Sequence, residues 1–267
     1  MRYLELRPMN GRRMARSNQQ VFSEESVVGC YQGRYLLQPP ERAILEDYMN
    51  VDDFVNILDI GVGAGRTAEY FRGRRCNYCG IDYSRKFIEI CVKKFSSEKN
   101  MKFLCLDARN LESLGDNKFD LILFSFNGID YVPSDDRVEI IKEVKSLLSD
   151  GGWFVFSSHN LRSIRNWPKA ISIYSDAEAI VRRLIVNLIN PRATLGDSES
   201  AIIRDSGHNY RLLTYYSLPE YEIELLRSMG FSSIKSFSLV AGKEMTTEEL
   251  IETTDSWIYY MAQAKNG

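Results

Sequence analysis

Histidine is nearly missing from this chain: 267 residues hold two, His159 and His208. A metal centre built from imidazoles has little to draw on, and none is expected. Cysteine is sparse as well. Five residues, an odd number without framework spacing, fit a reducing compartment better than a disulfide-stapled scaffold. Cys76 and Cys79 form a C-x-x-C, but no second pair accompanies them, so they read as two cysteines leading into a buried strand. Excess charge of one sign is absent too. Lys+Arg 34 against Asp+Glu 36 leave a net charge of −2, with no overall pull toward nucleic acid or acidic membrane. The first twenty residues are locally basic, and they read as a solvated arm. No stretch approaches the ~18–20 apolar residues of a membrane span; "LIVNLI" at 184–189 is far too short. No apolar segment of a secretory signal follows Met1, so a cytoplasmic protein is expected.

What the chain does have is a repeated alternation. "FVNILDI", "NYCGIDYS", "MKFLCLDA", "FDLILFSF" and "GWFVFSSHN" are short apolar runs suited to buried strands. Amphipathic helices separate them: "RTAEYF"; "RKFIEICVKKF", with Ser84 as N-cap; and "DDRVEIIKEVKSLL", opened by Pro133 and Ser134 and stopped by Gly151-Gly152. Such alternation predicts an α/β fold, a doubly wound and mostly parallel sheet covered on both faces. Residues 1–37 carry weak periodicity, and "QPPERAILEDYM" predicts a helix opened by its prolines. After Asn160 the rhythm breaks. "DAEAIVRRLIVNLIN" predicts a helix without a closely paired strand, and "AIIRD" and "YRLLTYY" flank "SGHN" as a hairpin. The rhythm resumes with Ser217 and Glu220 as a capping box before "EYEIELLRSM", then two strands, "SSIKSFSLV" and "SWIYYMAQAK". The expected organisation is therefore an N-terminal arm and cap helix (1–50), a core (51–160), an inserted cap (161–212) and a closing helix with two strands (213–267).

"NILDIGVGAGRT", residues 56–67, is the stretch built around a ligand. Dinucleotide folds want G-x-G-x-x-G, with the third glycine beside the pyrophosphate. Gly61, Gly63 and Gly65 are spaced G-x-G-x-G instead, and Arg66 takes the third glycine's place. Two acids sharpen the distinction. Asp82 ends the second strand about 20 residues on, where a carboxylate can accept both hydrogen bonds of a ribose diol. Asp107 ends the third, where a carboxylate can accept from an adenine amine. Acids at the ends of strands one, two and three line one crevice of an open α/β sheet.

These residues resemble the class I S-adenosylmethionine-dependent methyltransferases of the small-molecule type. "LDIGVGAGR", "GIDYS", "FLCLDA" and "FDLILFSFNGIDYV" look like their four motifs in order, "LLSDGGWFVFSSHN" like the segment after them, and "MGF…SWIYYMAQAK" like their closing antiparallel hairpin. The resemblance implies a seven-stranded sheet and S-adenosylmethionine as cofactor, with S-adenosylhomocysteine as product and no metal. It also implies that Asp59, Gly61, Gly63 and Gly65 face the methionine portion of the cofactor. Asp82 with Tyr83 would hold the ribose, Asp107 and Ala108 the adenine, and the backbone near Phe124 and Ser125 the amino group. Tyr31 and Arg34 are candidates to close over the cofactor.

The methyl acceptor is less legible. Asn127, Asp130 and Tyr131 follow the fourth strand, and His159 ends the fifth, where an imidazole suits removal of a hydroxyl proton. The catalytic candidates are His159, Asp130 and Tyr131. His208, and Arg182 with Arg183, lie in the cap; the arginines suit a phosphorylated acceptor or a solvated face. "SFNGID" lacks the N/D-P-P-Y/F pattern associated with methylation of nucleic-acid bases. The expected acceptor is the hydroxyl or amine of a small or medium molecule, such as a sugar, glycan precursor or secondary metabolite; DNA is not expected. An RNA or protein methyltransferase, a silent cofactor-binding partner and a Rossmann oxidoreductase stay as alternatives.

Overall fold

The computed structural model describes residues 11–31, 33, 36–50, 53–166, 177–191 and 196–264. Five strands build the parallel core: β1 (Asn56–Ile60), β2 (Asn77–Asp82), β3 (Met101–Cys105), β4 (Phe119–Phe124) and β5 (Leu148–Asn160), in the order β3-β2-β1-β4-β5. Two more, β8 (Phe231–Ser238) and β9 (Trp257–Ala264), close it antiparallel, with β9 paired to β5 over Trp153–His159. Those seven strands are the sheet expected from the sequence. Among the described residues the full sheet has nine, because β6 (Ser200–Arg204) and β7 (Leu213–Ser217) join it as a hairpin.

Side chains alternate between the two faces with the period of a strand. Leu58, Ile60, Ile122, Phe124, Phe154 and Phe156 point to one side and pack on α6 (Ser134–Leu147) through Ile140, Ile141 and Val144. Ile57, Leu121, Leu123 and Val155 point to the other. There they meet α4 (Arg66–Phe71), α5 (Arg85–Lys94) and the segment comprising α3 (Pro39–Ala43) and a wide π turn at Ile44–Tyr48. Strands buried on both faces read as apolar runs, which is why β1, β4 and the end of β5 were visible in the sequence, whereas β3 at the sheet's edge is half exposed.

Four local expectations differ from what is observed. Residues 1–37 are not featureless: α1 (Gly11–Phe22) and α2 (Glu25–Tyr31) are helices. In α1 the stripe of Met14, Asn18, Val21 and Phe22 is buried, and the amide in its middle disguised the 3.6-residue period. Gly151-Gly152 do not stop α6, which ends at Leu147; they lie inside β5 at a break in its register with β4. The capping box at Ser217 and Glu220 does not form. Ser217 closes β7, Pro219 opens α9 (Pro219–Ser228), and the Glu220 carboxylate accepts from Arg162 at 2.5 Å instead. The hairpin turn is longer than "SGHN", running from Asp205 to Leu212 with His208, Asn209 and Tyr210 all left-handed. The remaining helices are α7 (Leu161–Arg165), α8 (Ala177–Ile189) and α10 (Thr247–Glu252).

The hairpin's docking point matters for the site. β4 stops at Phe124, opposite Phe156, whereas β5 continues to Asn160. His159 pairs with Trp257 of β9 on one edge and with Tyr216 of β7 on the other. β7 therefore occupies the edge that β4 leaves free, directly above the turn following β4.

Candidate active site

One cavity opens at the carboxyl ends of the parallel strands. Its empty volume is about 1200 Å³, counting the space open at its mouth. The glycine turn after β1 forms its floor. Gly61 and Gly63 have φ of +68° and +52°, and a Cβ on Gly63 would meet nothing nearer than the Gly61 carbonyl at 4.0 Å. It would project into the cavity, which is the property of a backbone shaped for close approach by a ligand. Gly65 does a different job. Its added Cβ would lie 2.6 Å from the Phe95 ring, so it lets α4 start against α5, and it does not line the cavity.

Asp82 stands beside this floor, largely buried. Its Oδ2 accepts from the Gly63 N–H at 3.0 Å and its Oδ1 from the Ser84 N–H at 2.8 Å. Burial pushes its carboxyl up to about 6, although those two N–H groups pull the other way. Each oxygen keeps a lone pair for a hydroxyl donor. Asp59 also lines the cavity and is also pushed to about 6 by burial, opposed by the hydroxyls of Thr67 and Tyr78, which both donate to its Oδ2. Asp107 is gripped by the Nε and Nη2 of Arg109, at 3.0 and 2.7 Å. Burial opposes its ionisation, but the Arg109 bonds outweigh that and hold the carboxyl below its usual range. Tyr83, Ala108, Phe124, Ser125 and Tyr31 all line the same cavity. Arg34 lies outside the described residues.

Arg66, which displaced the dinucleotide glycine, is a further lining residue. It forms a bidentate ion pair with buried Glu41 at 2.5 and 2.6 Å, and the Tyr259 hydroxyl donates to the same carboxylate at 2.9 Å. This ties the wall of the cavity to α3 and β9.

The far wall is aromatic. Phe22 of α1 packs edge-on to Tyr131 at 4.9 Å, and Tyr31 of α2 packs against Phe87 at 5.8 Å and Phe126 at 6.4 Å. His208 of the hairpin turn touches this group: its ring lies 5.7 Å from Phe22, and its Nε2 is 3.4 Å from the Tyr31 hydroxyl. Sequence reasoning missed Phe22, Phe87 and Phe126 because a lone phenylalanine in a helix or loop carries no signal of which surface it will face. Asn18 locks α1 in place. Its amide nitrogen donates to the carbonyls of Tyr131 and Leu213, and its oxygen accepts from the Leu213 N–H.

The catalytic candidates separate. Tyr131 lines the cavity; Asp130 and His159 do not. Asp130 is fully buried, with Oδ2 accepting from the His159 backbone N–H and facing its Nδ1, both at 2.7 Å. Its Oδ1 accepts from Ser158 and from Arg137, which is itself paired with buried Glu222. The remaining imidazole nitrogen faces the Asn127 amide at 3.3 Å. Both imidazole nitrogens thus have partners, and the ring packs against Tyr216 at 4.7 Å and Tyr131 at 6.4 Å. Phe126 and Asn127, shortly before Asp130, are consecutive non-glycine residues at φ +55° and +59°, backbone strain held by the bond from the Asn127 N–H to Ser157. The cap arginines divide as well: Arg183 donates to the Ser163 carbonyl and Arg182 is exposed, and neither lines the cavity.

A parallel sheet in this order, with a glycine turn after β1 and carboxylates ending β2 and following β3, is the Rossmann-like fold of class I S-adenosylmethionine-dependent methyltransferases. Residues 57–152 match the methyltransferase domain family. A malonyl-[acyl-carrier protein] O-methyltransferase of Marinomonas sp. is 26% identical over 67% of this chain and 64% of its own length. A ubiquinone biosynthesis O-methyltransferase of Thiobacillus denitrificans is 26% identical over 48% and 53%. The chain thus spans about half to two thirds of the length of these curated relatives. Among solved structures, the Burkholderia thailandensis 1,6-didemethyltoxoflavin-N1-methyltransferase, with that compound and S-adenosylhomocysteine bound, superposes with a TM-score of 0.61 at 14% identity, over 99% of this chain and 98% of that one. Residues 57–152 therefore carry a methyltransferase domain, and the sheet built around them has the fold of the class I S-adenosylmethionine-dependent methyltransferases. The cofactor fits what is present, since the cavity has room above Gly63 and Asp82 offers unfilled acceptor positions. Among the described residues no group of three or more His, Cys, Asp or Glu is arranged to hold a metal ion, and no helix is long and apolar enough to cross a membrane.

Proposed function

We propose that this chain transfers a methyl group from S-adenosylmethionine to an oxygen or nitrogen of a small, ring-bearing, largely apolar acceptor. One observation carries the reading: the carboxylate-lined floor and the aromatic wall of Phe22, Tyr31, Phe126 and Tyr131 belong to a single cavity. The bound cofactor supplies an electrophilic methyl carbon, and the protein's part is alignment and exclusion of water. Asp82 would hold the ribose hydroxyls, Ala108 and Leu106 would flank the adenine, and the turn at Gly61–Gly63 would admit the methionine portion. Asp107 would meet the adenine amine while still paired with Arg109.

The acceptor would lie between Phe22, Tyr31 and Tyr131. Polar groups there are few: Gln19, the two phenols, and an Asn18 amide already committed to backbone. A free sugar would leave many hydroxyls without partners on such a wall, so a planar ring suits it better. The name of the Burkholderia neighbour's ligand and the ubiquinone relative point the same way. Where the acceptor must lose a proton, the Tyr31 hydroxyl and His208 behind it are better placed than His159. The test is transfer of labelled methyl from S-adenosylmethionine to a panel of phenols, N-heterocycles and saccharides. Labelling of ring compounds is expected, with kcat lowered about 10²-fold or more in His208→Ala for a hydroxyl acceptor and far less in His159→Ala. Labelling of saccharides alone would overturn the acceptor assignment, and equal losses in both variants would overturn the choice of histidine.

A further inference from the structure

Helix α8 carries its apolar residues on the wrong side. Val181, Leu184, Ile185 and Leu188 follow the spacing i, i+3, i+4, i+7 of one helix face. That face looks to solvent: Leu188 is 79% exposed, Val181 53% and Leu184 52%, with Ile189 at its edge. The opposite face fixes the helix to the body. Val186 is buried against Leu161, Ile164 and Ile203, and the Arg183 guanidinium turns inward to the Ser163 carbonyl. The Asn190 side chain exchanges two hydrogen bonds with the backbone of Arg204 in β6, which pins the far end. A water-facing helix normally presents charges there, and a contiguous apolar stripe of this kind marks a contact surface.

We propose that this stripe rests on an anionic lipid surface, with α8 lying in the plane of the interface. Charge argues for lipid. The cap from 161 to 212 holds eight Lys/Arg against five Asp/Glu, a surplus of three in a chain whose total is −2. Glu220 and Glu24 from outside the cap offset two of these charges at Arg162 and Arg211, which leaves a surplus of one. Arg182, exposed at the flank of the stripe, belongs to that surplus. A basic cap with a leucine-rich outer stripe is the pattern of helices held at headgroup level, where apolar burial and attraction to anionic lipid add. Area argues against a second copy of the chain. Four or five side chains on a short helix offer a few hundred Å², short of the roughly 800 Å² per partner of a stable interface. A fluid surface demands no matching shape. The proposal does not depend on the acceptor's identity, since none of these residues lines the cavity.

The experiment is co-sedimentation of the full chain with phosphatidylcholine vesicles, with and without phosphatidylglycerol. The protein is expected to sediment with the anionic vesicles and to be released by salt. Leu184→Ser/Leu188→Ser should weaken that binding at least about tenfold with no change in melting temperature, because both residues face solvent. Arg182→Glu should weaken it less and flatten the salt dependence. Failure to sediment, or unchanged binding of the double variant, overturns the proposal. So does a dimer in analytical ultracentrifugation that the same double variant dissociates, since a second copy then covers the stripe. A lowered melting temperature of the double variant overturns it too, since the chain's own residues then cover it.

Discussion

At the ends of β1 to β3, each acid is held by groups close to it in the chain or across one strand. Asp82 takes N–H groups from Ser84 and Gly63, and Asp107 takes Arg109 two residues on. Beyond β4 and β5 the bonds span the sequence. Asp130 is fastened to His159, Arg137 to Glu222 across 85 positions, and Asn18 to Leu213 across 195. The cofactor side of the cavity is thus assembled from local turns that form wherever their strands form. The acceptor side exists only when helices from both ends of the chain and the β6–β7 hairpin have docked. An electrostatic core replaces local backbone there: Arg137, Asp130 and Glu222 are buried together, and the guanidinium is held charged because its two carboxylates outweigh the cost of burial.

The largest expected effect attacks that core. Arg137→Ala leaves Asp130 and Glu222 buried without their counter-charge and should lower unfolding free energy by roughly 3–5 kcal/mol in urea titration. It should also loosen Tyr131, raising KM for the acceptor while the folded fraction still binds cofactor. Cofactor affinity lost in proportion to acceptor affinity would mean the two sides are not independent.

Next comes the cofactor side. Asp82→Ala should weaken S-adenosylmethionine binding between about tenfold and a hundredfold in calorimetry, by removing acceptors for the ribose hydroxyls. Melting of the apo protein should change little, since the two N–H groups it accepts from border an open cavity. Unchanged affinity in a folded variant would remove Asp82 from the site.

The smallest effect is the pH dependence of binding. Asp82 has its folded pKa raised from 3.8 to about 6. The folded state therefore binds this proton more tightly than the unfolded chain, and the resulting stability is fully present below about 3.8 and lost as pH rises through 6. Cofactor binding runs oppositely, because the ribose donates to an ionised carboxylate. Affinity should be flat between pH 7 and 8 and about tenfold weaker at pH 5. Asp82→Asn should abolish that slope. Its persistence in the Asn variant would transfer the titration to Asp59, the other cavity acid raised to about 6.

Much of this molecule was decided by sequence alone. The central parallel strands follow from apolar runs, because a strand covered on both faces has little polar side to show, and the half-exposed edge strand β3 follows from its place in the alternation with helices. The glycine turn and the positions of Asp82 and Asp107 follow from spacing, because a ligand at the carboxyl edge of an open sheet is met by whatever ends each strand. Tertiary structure decided the rest. Gly61, Gly63 and Gly65 look alike in sequence, yet a methyl group would enter the cavity at Gly63 and strike Phe95 at Gly65, a difference set by α5. His159 ends its strand as expected, but only the fold brings Asp130 to one of its nitrogens and Asn127 to the other. Phe22 and Tyr31 come from the most weakly patterned part of the chain and still form the aromatic wall of the cavity. Strand order is written in short-range periodicity, whereas a wall made by segments nearly 200 residues apart depends on docking, which no local pattern encodes.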